Sequence, residues 1–353
     1  MNIAPIIDAQ AATPFDASKK KKILISVLNW NGADKTLNCL RSLQHEIKAT
    51  AAVVTLLIID NDSRVEDFAV LETASKAEAF VLKRLPKNLG FTGGHNIAIQ
   101  MAIDEGYDFI WLMNNDAQVV PGALSHMLAA ILTNQNCGAV SPVLRDADDG
   151  ETIARCISTH DWTNRTYTRI TSIAEAQRIQ VEAPASVWLD GTAILFRVEA
   201  LADTGPLDDR LFAYYDDNDI GARLAAKGWF SQCAFAASVI HENRKSVAEY
   251  PLYLSYLLQR NEMLFWDTNL PSPHRRFLRL KLVDKALYEV NRLYRRGYAA
   301  HGDAALLGMR DFLCGKFGAP AHDKKVPRLL RIACKISALY YTKKLAAIPS
   351  RAA

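Results

Sequence analysis

The chain has 353 residues, 50% hydrophobic and 23% charged, with 42 Lys and Arg against 38 Asp and Glu for a formal charge of +4. That composition excludes a disordered or collagen-like chain, and at about 150 residues per domain it allows two domains or one large domain with an appendage. Six scattered cysteines without a CxxC pair argue against a disulfide framework or a zinc site.

Residues 1–22 carry no pattern and read as a flexible tail. From Ile23 short apolar runs alternate with helical periodicity. Ile23–Leu28, Val53–Ile59, Ala79–Leu85 and Phe109–Met113 read as buried strands. Ala33–Glu46 and a segment running on from Asn88–Asn96 to Ile103 read as helices between them. This alternation implies a largely parallel sheet covered on both faces. Residues 142–186 look like an irregular insertion. Val187–Phe196 is a strand candidate broken at Asp190-Gly191, and Trp229–Ile240 is another ending at His241. Beyond Pro251 four helices follow, at 251–268, 274–297, 302–315 and 327–346.

The small total charge hides a division. Beyond Tyr250 there are 19 Lys and Arg against 7 Asp and Glu, a net +12; before it the balance is −8. In the tail, Arg275, Arg276, Arg279, Lys281, Arg292, Arg295 and Arg296 alternate with Phe277, Leu278, Leu280, Leu282, Leu287, Leu293 and Tyr294. A basic amphipathic region of this kind suits an anionic membrane surface through residues 270–353. Nucleic acid is not the expected partner, because no DNA or RNA module accompanies the charge. No run approaches the ~18 apolar residues of a membrane span, so the protein is expected to be cytoplasmic, peripheral on the inner face of the membrane.

Polar clusters follow the strands, at Asn29–Asn31, Asp60–Ser63 and Asn114–Asp116. Ligands of open α/β sheets bind outside the carboxyl ends of the strands. Gly90-Phe91-Thr92-Gly93-Gly94-His95-Asn96 matches neither the dinucleotide nor the P-loop fingerprint, though glycines ahead of a helix can admit a ligand close to the backbone. Asp116 could hold a divalent cation, or simply serve a turn; His241 could add a nitrogen ligand, or be structural. Asp216, Asp217 and Asp219 open a helix, where acids are favoured by the dipole. Three of them exceed what capping needs, and their repulsion raises a pKa toward that of a general base.

Taken in order, these motifs resemble glycosyltransferase family 2. They are Ile25-Ser26-Val27-Leu28-Asn29-Trp30-Asn31-Gly32, Ile59-Asp60-Asn61-Asp62-Ser63, Asn88 to Asn96, Leu112-Met113-Asn114-Asn115-Asp116, Asp190-Gly191-Thr192-Ala193, Gly205-Pro206-Leu207-Asp208 and Tyr215-Asp216-Asp217-Asn218-Asp219-Ile220. His241 followed by Ser246 fits the distal metal position. Tyr256-Leu257-Leu258-Gln259-Arg260-Asn261 resembles the rhamnosyltransferase-like branch. The resemblance implies a GT-A fold at 23–248, with a nucleotide-sugar half (23–141) and an acceptor half (142–248), followed by a basic helical extension at 249–353. It implies inverting transfer from a dTDP- or UDP-sugar to a saccharide or lipid-linked acceptor in cell-surface polysaccharide synthesis, with Mg²⁺ or Mn²⁺. Asn29, Asn31, Asp60 and Asn61 would line the nucleoside pocket, with Gly93, Asn96 and Asn115 also on the donor side. Asp116 and His241 would hold the metal, Asn114 replacing the first Asp of the Asp-x-Asp pattern. Asp217 would be the base, and Asp190, Gly191 and Asp216 would meet the acceptor. A sugar nucleotidyltransferase is the alternative enzyme, but it wants a Gly-rich basic loop after the first strand, where Asn-Trp-Asn-Gly stands. A non-catalytic binding module is the alternative outside catalysis.

Overall fold

The computed structural model describes residues 20–242, 247–270 and 273–346. Most of the expected tail, and Ser246, lie outside them. The first half is built as the apolar runs dictate: β1 (Lys22–Asn29), α1 (Ala33–Ala49), β2 (Val53–Asp60), α2 (Val65–Ser75), β3 (Val81–Arg84), α3 (Gly90–Asp104) and β4 (Phe109–Asn114). β1 pairs in parallel with β2 and β4, and β2 with β3. Successive side chains go to opposite faces. Ile23, Ile25 and Val27 therefore join one core with Leu40 and Leu43 of α1, while Leu24, Ile110 and Leu112 join another with Ala98 and Ile99 of α3.

The parallel order ends at β4. The chain continues through β5 (Ala117–Val119), α4 (Ala123–Leu132), β6 (Cys137–Asp146), β7 (Ile153–Arg155), β8 (Ile157–Asp161), β9 (Thr166–Ile170), α5 (Ile173–Glu182), β10 (Val187–Trp188), β11 (Ala193–Arg197), α6 (Val198–Thr204), α7 (Asp216–Ala226) and β12 (Phe230–His241). The main sheet runs β3-β2-β1-β4-β11-β6-β12-β5, with β7 beside β6. β11 is antiparallel to both β4 and β6. Strands β10, β8 and β9 form a separate antiparallel sheet. Two expectations are corrected here. Residues 142–186 are mostly regular, and Val187–Phe196 is two strands in two sheets, the chain crossing between them at Asp190-Gly191.

The rest is helical: α8 (Leu252–Asn269), α9 (Arg275–Arg295), α10 (Ala299–Leu313) and α11 (Arg328–Ala346). These bury a core that includes Phe265, Trp266, Leu306 and Leu307, and it also takes in Leu211 and Tyr215 from the sheet half. Among the described residues no helix is long and apolar enough to cross a membrane. The apolar surface of α9 is smaller than its sequence suggests. Leu278 and Leu282 are buried, and Leu287, Leu293 and Tyr294 pack partly against the same core, leaving Phe277 and Leu280 exposed. Arg275 and Arg279 are drawn into ion pairs with buried Asp267. The continuous exposed stripe is instead on α11: Leu329, Ile332, Ile336, Leu339 and Tyr340. Its spacing puts those side chains on one helical face, opposite Cys334, which is buried against Asn291.

Candidate active site

The strand ends meet as a network of amides and acids. Asn29 is wholly buried; its Nδ2 donates to Asp60 (2.9 Å), Ser63 (3.1 Å) and Asp67 (3.0 Å), and its Oδ1 accepts from Thr36 (2.8 Å). Asn61 is also buried, accepting from the Leu89 N–H and donating to the Gly90 carbonyl. Asn29, Asp60 and Asn61 thus come together as expected, but as the frame of the turns and not as open surface. Asn31 is half-buried, with φ 53°, and accepts from the Arg64 N–H. The exposed group on this edge is Trp30, 49% accessible and lining the cleft.

Next to it, β5 pairs with β12 in a register that sets His241 opposite Ala117. His241 Nε2 therefore lies 3.2 Å from Asp116 Oδ1, and Asn114 Nδ2 lies 3.4 Å from the same nitrogen. Burial alone would lower the His241 pKa, but the hydrogen bond and charge of Asp116 outweigh it and raise the value. Burial likewise works to raise Asp116, yet His241 and Lys35 bring it below the ordinary range. Asn115 is held by Thr36, Gly32 and Asn29. Among the described residues no cluster of three or more His, Cys, Asp or Glu side chains forms a metal cage. One carboxylate and one imidazole at a cleft wall would still suit Mg²⁺ or Mn²⁺, cations that commonly complete their shells with phosphate oxygens and water.

Across the cleft stand three acids. Asp190 pairs with Arg155; burial raises its pKa, but that guanidinium prevails and holds it low. Burial and the Asp190 charge raise Asp217, and burial with Asp217 pushes Asp216 well above the usual range. Asp217 Oδ2 accepts from the Gly191 N–H at 3.2 Å and its Oδ1 from the Asn218 N–H at 2.8 Å. Asp219 is spent elsewhere, on Arg223 at 2.7 Å and Asn269 at 3.0 Å.

The segment before α7 is strained. Phe212, Tyr214 and Tyr215 have φ of 65°, 67° and 67°, a region costly for residues with a Cβ. Two sides hold it. At the start of α3 the Thr92 N–H donates to the Phe212 carbonyl (3.1 Å), and Gly90, at φ +74°, is packed so closely that a Cβ would lie 2.3 Å from that oxygen. From α8, Asn261 Nδ2 donates to the carbonyls of Leu211, Ala213 and Tyr214 at 2.8–2.9 Å. Arg260, fully buried, donates to those of Arg210 and Leu211.

These walls enclose a cleft of about 460 Å³, lined among others by Trp30, Asn115, Asp116, Asp190, Gly191, Asp216, Asp217 and His241. Gly93 and Asn96 do not line it. Gly93 packs on Leu89, and the Asn96 amide bridges to both N–H and carbonyl of Leu207; from the glycine-rich segment it is Phe91 that lines the cleft, and Gly90 that packs against Phe212. Sequence reasoning gave no role to Trp30, Arg155, Tyr167, Arg169 or Trp188, which also line the cleft. An aromatic directly after a strand was the available signal for Trp30.

A mainly parallel sheet that turns antiparallel at β11, with its strand ends and the facing acids at one cleft, has the architecture of the GT-A fold. The profile described as glycosyltransferase like family 2 matches residues 21–251. The chain belongs to that family. It is 28% identical over 223 residues to the N-acetylglucosaminyl-diphospho-decaprenol L-rhamnosyltransferase of Mycobacterium tuberculosis, covering 58% of this chain and 71% of the relative. Identity is also 28% over 184 residues to galactofuranosyltransferase GlfT1 of the same organism, covering 52% and 59%. Among solved structures, a Pyrobaculum calidifontis mannosyltransferase in complex with GDP-Man and Mn²⁺ aligns with TM-score 0.52 at 13% identity, over 98% of this chain and 92% of that one. TarS of S. aureus with UDP-GlcNAc aligns with TM-score 0.53 at 13% identity, over 83% and 80%.

Proposed function

We propose that this glycosyltransferase moves a sugar, with inversion, from a nucleoside-diphosphate donor to a lipid-linked saccharide in cell-surface polysaccharide synthesis. The observation that carries this reading is the placement of Asp116 with His241 and of Asp217 on the walls of a single cleft. Trp30 offers its exposed ring to the nucleobase, and Asp116 and His241 are the residues that would hold Mg²⁺ or Mn²⁺. When bound, the cation supplies positive charge to the departing diphosphate. Asp217, with a raised pKa, takes the proton of the acceptor hydroxyl as its oxygen attacks the anomeric carbon. The carbon–oxygen bond to the diphosphate breaks, and its electron pair leaves with the nucleotide. One in-line displacement inverts the anomeric centre. The Gly191 N–H and Asn218 orient the carboxylate for that step.

The relatives' names favour a rhamnosyl or galactofuranosyl donor, and we take its carrier to be dTDP or UDP. The test is Asp217→Asn, which should lower kcat by about 10²–10⁴-fold while nucleotide affinity holds; full activity would exclude Asp217 as the base. The exposed stripe of α11, bordered by Arg328 and Lys335, fits peripheral docking on an anionic bilayer at the cytoplasmic face. Co-sedimentation with phosphatidylglycerol vesicles, weakened by Ile332→Asp with Ile336→Asp, checks that part.

A further inference from the structure

The transfer step leaves His160 on β8 without a role. Its ring stacks with Trp188 at 5.4 Å and an interplanar angle of 16°, and with Phe265 at 4.9 Å and 29°, while Trp266 meets it edge-on at 6.0 Å. All three partners are buried, so aromatic rings from the small sheet and from α8 grip the imidazole together. His160 Nε2 lies 3.1 Å from Asn218 Oδ1. Asn218 is 5% exposed, and its Nδ2 donates to Asp217 Oδ1 at 3.0 Å. A chain of three side chains thus runs from the small sheet to the base.

Proton bookkeeping gives the chain a direction. A carboxylate only accepts, so the Asn218 amide must turn its NH₂ toward Asp217 and its oxygen toward His160. That oxygen accepts only if His160 Nε2 carries a proton. Burial lowers the His160 pKa to about 4, outweighing the upward pull of the Asn218 bond. The ring is therefore neutral at physiological pH, with a single N–H to place, and the partner of that N–H fixes its tautomer. Among the described residues His160 is the one donor to Asn218 Oδ1. Without it the amide is free to flip, setting an oxygen against a carboxylate that already feels Asp190 and Asp216.

Resting on Asp217 as the base in the transfer reading above, we propose that His160 is a positioning residue for that base. Its Nε2–H locks the Asn218 amide with the NH₂ on Asp217 Oδ1, and the Gly191 N–H on Oδ2 completes the hold on the carboxylate plane. The aromatic stack keeps the imidazole in register, so the small sheet and α8 set the base through one neutral histidine.

Two variants separate the donor from the packing. His160→Phe keeps a flat ring in the stack and removes the N–H; His160→Gln keeps an N–H near the place of Nε2 and removes the ring. The assay uses the full chain, alkyl-diphospho-GlcNAc as acceptor and a panel of dTDP- and UDP-sugars. His160→Phe should lower kcat about tenfold, the scale of one hydrogen bond to a charged group, with acceptor KM and nucleotide Kd unchanged. His160→Gln should recover most of that loss, the reverse of what packing alone predicts. The acid limb of kcat is a second readout. A hydrogen bond to the ionised form lowers a carboxyl pKa, which is the direction in which Asn218 acts on Asp217. Its loss moves the limb to higher pH in His160→Phe and not in His160→Gln, while Asp190, Asp216 and Arg155, the charged groups around Asp217, stay the same in both. In an Asn218→Ala background His160→Phe should cost nothing further; with no stranded amide oxygen, that pair also serves if the single variant does not fold. ¹⁵N NMR of histidine-labelled protein reads the tautomer without turnover, and His160 should carry its proton on Nε2. A proton on Nδ1, wild-type kcat in His160→Phe, or a greater loss in His160→Gln than in His160→Phe would each overturn the proposal. Full activity in Asp217→Asn defeats the base reading itself. An inactive Asp217→Asn beside a fully active His160→Phe defeats the positioning role alone.

Discussion

Asn261→Ala tests whether the helical half positions the base. The substitution removes the Nδ2 group that holds the carbonyls of Leu211, Ala213 and Tyr214 at 2.9, 2.8 and 2.9 Å. Leu211 keeps the Arg260 donor at 2.9 Å, so two carbonyls lose their side-chain partner. Leaving each unpaired costs about 1–3 kcal/mol, reduced here because water in the cleft can reach part of the loop. Phe212, Tyr214 and Tyr215 each store about 1–3 kcal/mol of backbone strain, released when the loop lets go. A relaxed loop turns Asp216 and Asp217 away from their settings against Gly191 and Asn218. We therefore expect kcat to fall about 10²-fold, equivalent to ~2.7 kcal/mol at the transition state, with nucleotide Kd unchanged because Trp30 and Asn115 stand just after β1 and in the β4–β5 turn. Asn261→Asp keeps the size and discards the donors, so it should be at least as damaging. Steady-state kinetics beside nucleotide calorimetry makes the check. Wild-type kcat in both variants would refute the reasoning, as would a loss of nucleotide binding in step with kcat.

Other expectations are simpler. Trp30→Ala should weaken nucleotide binding about tenfold by calorimetry, since aromatic stacking on a base contributes ~1–3 kcal/mol; an unchanged Kd would remove Trp30 from the site. Chelation should abolish activity and Mn²⁺ restore it, and His241→Ala should raise the Mn²⁺ needed for half activity at least about tenfold. Asp267 gives a pH signature. Burial works to raise its pKa, but Arg279 and Arg275 prevail and hold it at about 2, below the unfolded value. Its stabilisation is therefore complete above the unfolded pKa and is lost as pH falls toward about 2. With both arginines half-exposed and screened, it is worth ~1 kcal/mol. The gap in Tm between wild type and Asp267→Asn should close across that window, and a constant gap would contradict the pairing.

The parallel half of the fold was legible because strands buried on both faces must be continuous apolar runs, and Ile23–Leu28, Val53–Ile59 and Phe109–Met113 are such runs. The small antiparallel sheet was not. Thr166–Ile170 alternates Thr, Tyr, Thr, Arg and Ile with one face toward solvent, and it reads as loop. Nor could local pattern show that Val187–Trp188 and Ala193–Arg197 lie in different sheets, since only distant partners decide that. On α9, Leu and Arg alternate so closely that sequence cannot tell the face packed on α10 from the face in water. At the site, the polar strand-end residues Asn114, Asn115 and Asp116 lie on the wall of one cleft, at the sheet edge their positions implied. What sequence could not separate was which of the polar strand-end residues line the cleft and which, like Asn29 and Asn61, are buried in holding the turns.

The family match ends at residue 251, before the helix that bears Arg260 and Asn261, and the active-site loop does not end there. Leu258 lines the cleft, Asn261 and Arg260 grip five carbonyl contacts of 210–214, and Asn269 reaches Asp219 at the foot of α7. A loop with three left-handed residues has no local reason to keep its shape, so the shape must be imposed from outside. α8 imposes it with the neutral amide of Asn261 and the cationic guanidinium of Arg260, while its own Glu262, whose charge reaches Tyr215, is paired with Lys285 at 2.8 Å. The division between an acidic first part at −8 and a basic second part at +12 thus has a structural reading. Acids gather at the cleft, and the half that braces them carries the opposite sign.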